Sequence, residues 1–220
     1  MSRHLIDLID ELRTRVTRMG GLVQQIVERA VDAVLDADAD LARRTIELDE
    51  RIDDEEVKVE QAAIDLLALH QPAAGDLRLV TSVIKINNDL ERIADCAVNV
   101  AQRVLPLAQG ADRYNPPADL RLMCSSVVGN LRDACKAFNL NDVDLARQVL
   151  RNDDVVDALY HQIVQDMLAH IESDGRRASA DLSNIMIAKN LERIADHCTN
   201  IAEDVIYIHT GRIIRHLHAV

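Results

Sequence analysis

Two closely similar stretches decide the fold: "NNDLERIADCAVNVA" at residues 87–101 and "KNLERIADHCTNIA" at residues 189–202. Within each stretch the apolar residues recur at the three- and four-residue spacing of an amphipathic helix with one buried face. The hexamer "LERIAD" stands at 90–95 and again at 191–196. A chain that contains the same helix twice is predicted to be built from two copies of one unit.

The repeat extends toward the start of each half. "DADLAR" at 38–43 matches "DVDLAR" at 142–147, and the spacing of apolar residues predicts three helices in each half. The predicted helices cover roughly residues 3–36, 40–70, 76–107, 118–138, 142–172 and 178–210. We expect Asp40 and Asn141 to cap helix N-termini, Asp76 to open the third helix and Gly211 to end the last.

The sequence therefore predicts an all-α fold of two tandem three-helix bundles, elongated in shape. Hydrophobic residues make up 48% of the chain and aromatic residues 2%, a composition that suits packed helices better than a sheet. The predicted domains are residues 1–107 and 118–211. They are joined by a linker at 108–117, where Pro, Gly and Asn collect. A single continuous six-helix array is the alternative.

The formal net charge is −12, and this excludes some classes of partner. So acidic a surface repels nucleic-acid backbones, and we expect no nucleic acid to bind directly. The same charge suits metal cations or a basic protein partner. No apolar run approaches the length that spans a bilayer, so no direct membrane span is predicted. The four cysteines form no C-x-x-C pair, so neither a zinc knuckle nor a redox motif is indicated.

Oxygen-bearing side chains recur at four-residue steps on the repeated helix, and such steps place them on one face. The apolar seam of the same helix points about 100° or more away, so we expect the acids on the outer face or its edge. The two stripes comprise Glu91, Asp95, Asn99, Glu192, Asp196 and Asn200. The second predicted helix of each half adds acids four residues apart, namely Asp49, Asp53, Asp153 and Asp157.

Carboxylate and amide oxygens are ligands for hard and borderline cations, and a cation offsets the repulsion between neighbouring acids. If the second and third helices pack side by side, the acids of each half would complete one cluster. The simpler interpretation is a solvated acidic face. A ferritin-like di-iron enzyme would need Glu-x-x-His, which neither stripe contains. No nucleophile–base pair or glycine-rich phosphate loop is visible, so the chain is predicted not to be an enzyme.

Three motifs together resemble the PhoU family: "HQPAAGDLRLV" at 70–80, the doubled "LERIAD", and "IYIHTG" at 206–211. The resemblance covers nearly the whole chain and implies two tandem three-helix bundles. It also implies a cytoplasmic negative regulator of the phosphate-starvation response and of high-affinity phosphate uptake. Such a protein would contact the ATPase subunit of a phosphate ABC transporter and a sensor histidine kinase, and would reach the inner face of the membrane through them.

The resemblance also implies metal at the Glu-x-x-x-Asp stripes and, beside them, at the second-helix acids. Iron, zinc, manganese and magnesium are the candidate ions. Cys96 stands where the second copy has His197, so the two sites could differ in metal preference. We expect a homodimer, because the helices are long and have exposed faces. Two further hypotheses stay open at this point: a carboxylate-bridged helical metalloenzyme, and an inert helical scaffold.

Overall fold

The computed structural model describes residues 3–108 and 114–214, and this part of the chain forms helices and connecting turns without a strand. A 3₁₀ turn at Gly175–Arg177 precedes the last helix. The helices are α1 (Arg3–Asp36), α2 (Ala39–Ile46), α3 (Asp49–His70), α4 (Gly75–Ala108), α5 (Ala118–Leu140), α6 (Val143–Ser173) and α7 (Ala178–Thr210). The predicted all-α class is confirmed.

One helix predicted from the sequence is interrupted. The segment 40–70 forms α2 and α3, which are separated at Glu47 and Leu48, whereas its counterpart α6 runs unbroken. At the break, the Thr45 hydroxyl donates to the Leu41 carbonyl at 2.8 Å. The Leu48 amide bonds to the Thr45 carbonyl three residues earlier, which is the tighter hydrogen-bond pattern of a 3₁₀ turn.

The helix caps lie next to the predicted ones. Asp38, not Asp40, caps α2, and Asp142, not Asn141, caps α6; each carboxylate accepts from two backbone amides. Both capping residues have the extended backbone that an N-cap requires, with φ near −90°. Asn141 is left-handed and ends α5 instead. Gly211 ends α7 at φ 70°, as predicted.

The two halves meet through α4 and α7, which run antiparallel. Lys85 on α4 pairs with Asp204 on α7 at 3.3 Å, and Asp89, one turn further along α4, meets His197, which lies earlier on α7. In this register the two "LERIAD" segments face each other. Ala94 is 1% exposed, and its counterpart in the second copy is equally buried.

Around this central pair, α1 packs on α4, α5 packs on α7, and α1 also touches α5. The buried apolar side chains of both halves form one continuous cluster. The flanking helices α3 and α6 close the outer sides of α4 and α7. Residues 109–113 of the predicted 108–117 linker lie outside the described residues, and the division into domains at 1–107 and 118–211 stays a prediction.

Two of the sequence motifs, "HQPAAGDLRLV" at 70–80 and "IYIHTG" at 206–211, meet at one end of the α4–α7 pair. A β-carbon on Gly211 would lie 3.6 Å from the guanidinium carbon of Arg78. The guanidinium therefore lies against the carbonyl end of α7, where the helix dipole favours positive charge. Across residues 3–108 and 114–214, no helix combines the length and the apolarity needed to cross a bilayer.

Candidate metal centre

The second helix of each half packs against the third, so the acids of the two helices come together. Helix α3 lies against α4, and α6 lies against α7. This confirms the side-by-side packing assumed in the sequence analysis. Asp49, Asp53, Glu91 and Asp95 form what we call the first acid cluster, and Asp153, Asp157, Glu192 and Asp196 form the second acid cluster.

In the first acid cluster the carboxylates lie within one another's electrostatic field. Burial raises the pKa of Asp49, and the charges of Asp53 and Asp95 raise it further. Burial also raises the pKa of Glu91, followed by the charge of Asp95, while Arg92 opposes the rise. Arg92 reaches Glu91 at 3.5 Å and Asp95 at 3.8 Å from a half-exposed position, and such long contacts offset little of the repulsion.

The second acid cluster contains the carboxyl group with the larger rise in pKa. Burial raises the pKa of Asp153 to about 7, with further contributions from Asp157 and Asp196. Asp153 Oδ1 is buried and has no hydrogen-bond partner among the described residues. Lys189 donates to Glu192 at 2.7 Å, which is the closest contact of a cationic group with this cluster among the described residues. The cluster therefore concentrates like charge with little compensation.

The acids of both clusters remain open to solvent at the edge of the helix pair. The side chain of Glu91 is 27% exposed and that of Asp95 46% exposed. The Glu192 side chain is 15% exposed, and Asp196 is exposed. None of these four lies in the apolar core, so an ion or a partner protein can reach them.

The two asparagines of the stripes do not share one environment. Asn99 is exposed. Asn200 turns toward α4 and donates from Nδ2 to Asp89 Oδ1 at 3.1 Å. His197 Nδ1 lies 2.8 Å from the same Asp89 oxygen. Asn200 thus lies between α4 and α7 in this structure, and its membership of a metal site stays a prediction.

Asp89 is a residue that the sequence analysis missed. It is 7% exposed and joins the two halves through His197 and Asn200. A signal was present in the repeat, because Asp89 aligns with Asn190 and His197 aligns with Cys96. Two positions that lie in contact in the structure thus differ together between the copies.

The donor chemistry of the clusters fits a cation. Carboxylates at the edge of two helices suit iron, zinc, manganese or magnesium, and the unpartnered Asp153 Oδ1 is an acceptor that a cation would satisfy. Among residues 3–108 and 114–214, no three His, Cys, Asp or Glu side chains already converge on one ion position. A bound ion would therefore have to draw the carboxylates together.

Comparison with known proteins gives consistent matches along most of the chain. The PhoU domain model matches residues 16–104 and 120–205, one match in each half. The phosphate-specific transport system accessory protein PhoU homolog of Pseudomonas putida is 37% identical over 95% of this chain and 82% of its own length.

Two solved structures share the architecture. The crystal structure of PhoU from Pseudomonas aeruginosa is 37% identical and covers 94% of this chain and 99% of its own, with a TM-score of 0.91. The phosphate transport system regulatory protein PhoU from Streptococcus pneumoniae is 26% identical and covers 95% of this chain and 98% of its own, with a TM-score of 0.88. With one match to the domain model in each half and similarity along almost the full length, the chain belongs to the PhoU family.

Proposed function

We propose that this chain is an accessory protein that regulates phosphate-specific transport. The support is family membership across both repeats, together with relatives that are named as accessory or regulatory proteins of phosphate transport. The same membership agrees with the prediction that the chain is not an enzyme, and it removes the ground for the helical metalloenzyme hypothesis.

The proposal extends to the partners and the direction of control. The chain would restrain the phosphate-starvation response and high-affinity uptake from the cytoplasmic side, reaching the membrane only through its partners. It would act as an adaptor between the ATPase subunit of a phosphate ABC transporter and a sensor histidine kinase, and as a homodimer. The support is the family resemblance and the net charge of −12, which suits a basic protein surface.

The further part of the proposal is that the two acid clusters bind metal. The observation that carries it is the second acid cluster, where the partly buried Asp153 lies beside Asp157 and Asp196 and its Oδ1 has no hydrogen-bond partner among the described residues. A bound divalent or trivalent cation would supply positive charge there. With their charge balanced, the carboxylates of the cluster would stay ionised and fixed in position. The helix face that carries them would then present an ordered surface to a partner.

The metal proposal is tested by elemental analysis of protein purified without chelator. We expect stoichiometric metal in the wild type and its loss in a Glu91→Ala, Glu192→Ala double variant. A matched control, Glu28→Ala with Glu172→Ala, removes two exposed acids from α1 and α6 and should keep the metal. Equal metal content in all three proteins would overturn the assignment.

The regulatory proposal is tested separately in cells and by co-purification. A strain that lacks the chain should express phosphate-starvation genes in high phosphate, and the wild-type chain should restore repression. The chain should also co-purify with the phosphate-transporter ATPase subunit. An inert helical scaffold would do neither, so the absence of both effects would exclude the regulatory role whether or not metal is found.

A further inference from the structure

One short ion pair distinguishes the second acid cluster from the first. Lys189 Nζ donates to Glu192 Oε2 at 2.7 Å and lies 5.2 Å from the ring centre of Tyr160. Burial raises the pKa of Asp196, and the charge of Lys189 opposes that rise. The ammonium group therefore acts on two acids of the cluster, on Glu192 by direct contact and on Asp196 through its electric field.

Tyr160 helps to keep Lys189 beside these acids. The ring lies on α6 and the lysine on α7, so they meet across the same two helices that form the cluster. An ammonium group near an aromatic face is attracted to it and keeps its charge. The lysine side chain is 45% exposed, so it has room to turn into solvent if another cation takes its place.

The repeat shows that this arrangement belongs to one half only. In the alignment of the two "LERIAD" segments, Lys189 falls on Asn88. In the alignment that matches the acids of α3 with those of α6, Tyr160 falls on Glu56. The first half thus has an amide in place of the ammonium group and a carboxylate in place of the ring.

Glu56 adds negative charge beside the first acid cluster. Besides burial and the charge of Asp95, the charge of Glu56 raises the pKa of Glu91. Arg92 lies 3.5 Å from Glu91, but the second copy has Arg193 at the same position, so this arginine does not distinguish the two sequences. At the two positions that differ, the first half has one more negative charge and one fewer positive charge.

We propose that the two acid clusters are unequal cation sites, because Lys189 occupies the second one when no metal is bound. The inference rests on the proposed metal binding and concerns a hard divalent ion such as Mn²⁺, which carboxylates suit. Lys189 would have to give up its hydrogen bond to Glu192 before an ion could bind there, whereas no cationic contact this short closes the first acid cluster among the described residues. The first acid cluster would therefore fill at the lower metal concentration.

Titration with Mn²⁺ tests this inequality, since the electron paramagnetic resonance signal of the free ion weakens on binding. The full chain is first stripped of metal and then freed of chelator. We expect the wild type to bind Mn²⁺ in two classes whose dissociation constants differ at least about tenfold. Asp95→Asn should weaken the tighter class and Asp196→Asn the weaker class, which assigns each class to its cluster.

Lys189→Met removes the ammonium group and keeps a long side chain beside Tyr160. It should tighten the weaker class at least about fivefold and change the tighter class less than about twofold. The matched control is Lys136→Met, which removes an exposed lysine from α5 and should change either class less than about twofold.

A second measurement does not depend on metal affinity. With chelator present, Lys189→Met should lower the urea midpoint of unfolding because Glu192 loses its counter-ion, and saturating Mn²⁺ should abolish this difference from the wild type. Two sites of equal affinity, or a weaker class that Lys189→Met leaves unchanged, would overturn the unequal sites and leave the metal proposal standing. No Mn²⁺ binding by any of these proteins would overturn both.

Discussion

Replacement of Asp153 by asparagine should stabilise the protein increasingly as the pH rises above about 4, with the full effect reached above about pH 7. Burial and the charges of Asp157 and Asp196 raise the pKa of Asp153 from 3.8 to about 7 in the folded state. Between about pH 4 and pH 7 the folded protein keeps a proton that the unfolded chain has lost. The stability from this group is therefore complete below about pH 4, falls as the pH rises, and is lost above about pH 7.

The size of the effect follows from the same pKa. A rise from 3.8 to about 7 corresponds to about 4 kcal/mol for a carboxyl fully removed from water. Asp153 is only partly buried, so screening by solvent reduces this to about 1–2 kcal/mol. Asp153→Asn should raise the free energy of unfolding by that amount at pH 8, and by less than about 0.5 kcal/mol at pH 4.

Urea denaturation in the presence of chelator measures this difference, since a bound cation would offset the same repulsion. The matched control is Asp154→Asn, a change at the exposed neighbour, which should alter the free energy of unfolding by less than about 0.5 kcal/mol at either pH. If Asp153→Asn stabilises equally at pH 4 and pH 8, or not at all, the like-charge account of the second acid cluster is refuted.

Three further substitutions and one control test the helix ends by urea denaturation. Asp38→Ala and Asp142→Ala should each lower the free energy of unfolding by about 1 kcal/mol, since each carboxylate accepts from two backbone amides. The control Asp40→Ala should change it by less than about 0.5 kcal/mol. An equal loss of stability at Asp40 would contradict the observed caps. Gly211→Ala should lower the free energy of unfolding by about 1–2 kcal/mol, because a side chain at φ 70° is strained; an unchanged unfolding midpoint would show that the end of α7 can rearrange.

Periodicity predicted the helices well because each has one continuous buried face. The break between α2 and α3 was missed, since "LARRTIELDERI" at 41–52 keeps a helical spacing across it. The helix is interrupted by a turn at Glu47 and Leu48, where the Leu48 amide bonds to the Thr45 carbonyl. Apolar spacing carries no information about such a local bond. The caps were displaced for a related reason, because several Asp and Asn residues compete at each helix start and backbone geometry selects one.

Only part of the candidate site could be predicted from the sequence. Four-residue spacing found acids that share a face, and the pairing of α3 with α4 and of α6 with α7 then gathered them into clusters. The direction of Asn200 was not predictable from its own helix, because it is set by Asp89 on α4, which the antiparallel packing of α7 brings close. Spacing is also the same with or without a bound ion, so the sequence alone does not decide metal binding.

The two kinds of site differ in what they require from the fold. An acid cluster needs two neighbouring helices within one half, so duplication of the half produces a second cluster without further change. A polar cleft lined by α3, α4 and α7, by contrast, lies at the contact between the halves and takes side chains from both. Residues at this contact can differ between the two copies while both acid clusters are kept. Asp89 and His197, which meet at the contact, correspond to Asn190 and Cys96 in the other copy. A duplicated fold can thus keep a symmetric pair of acid clusters while the contact between its halves becomes asymmetric.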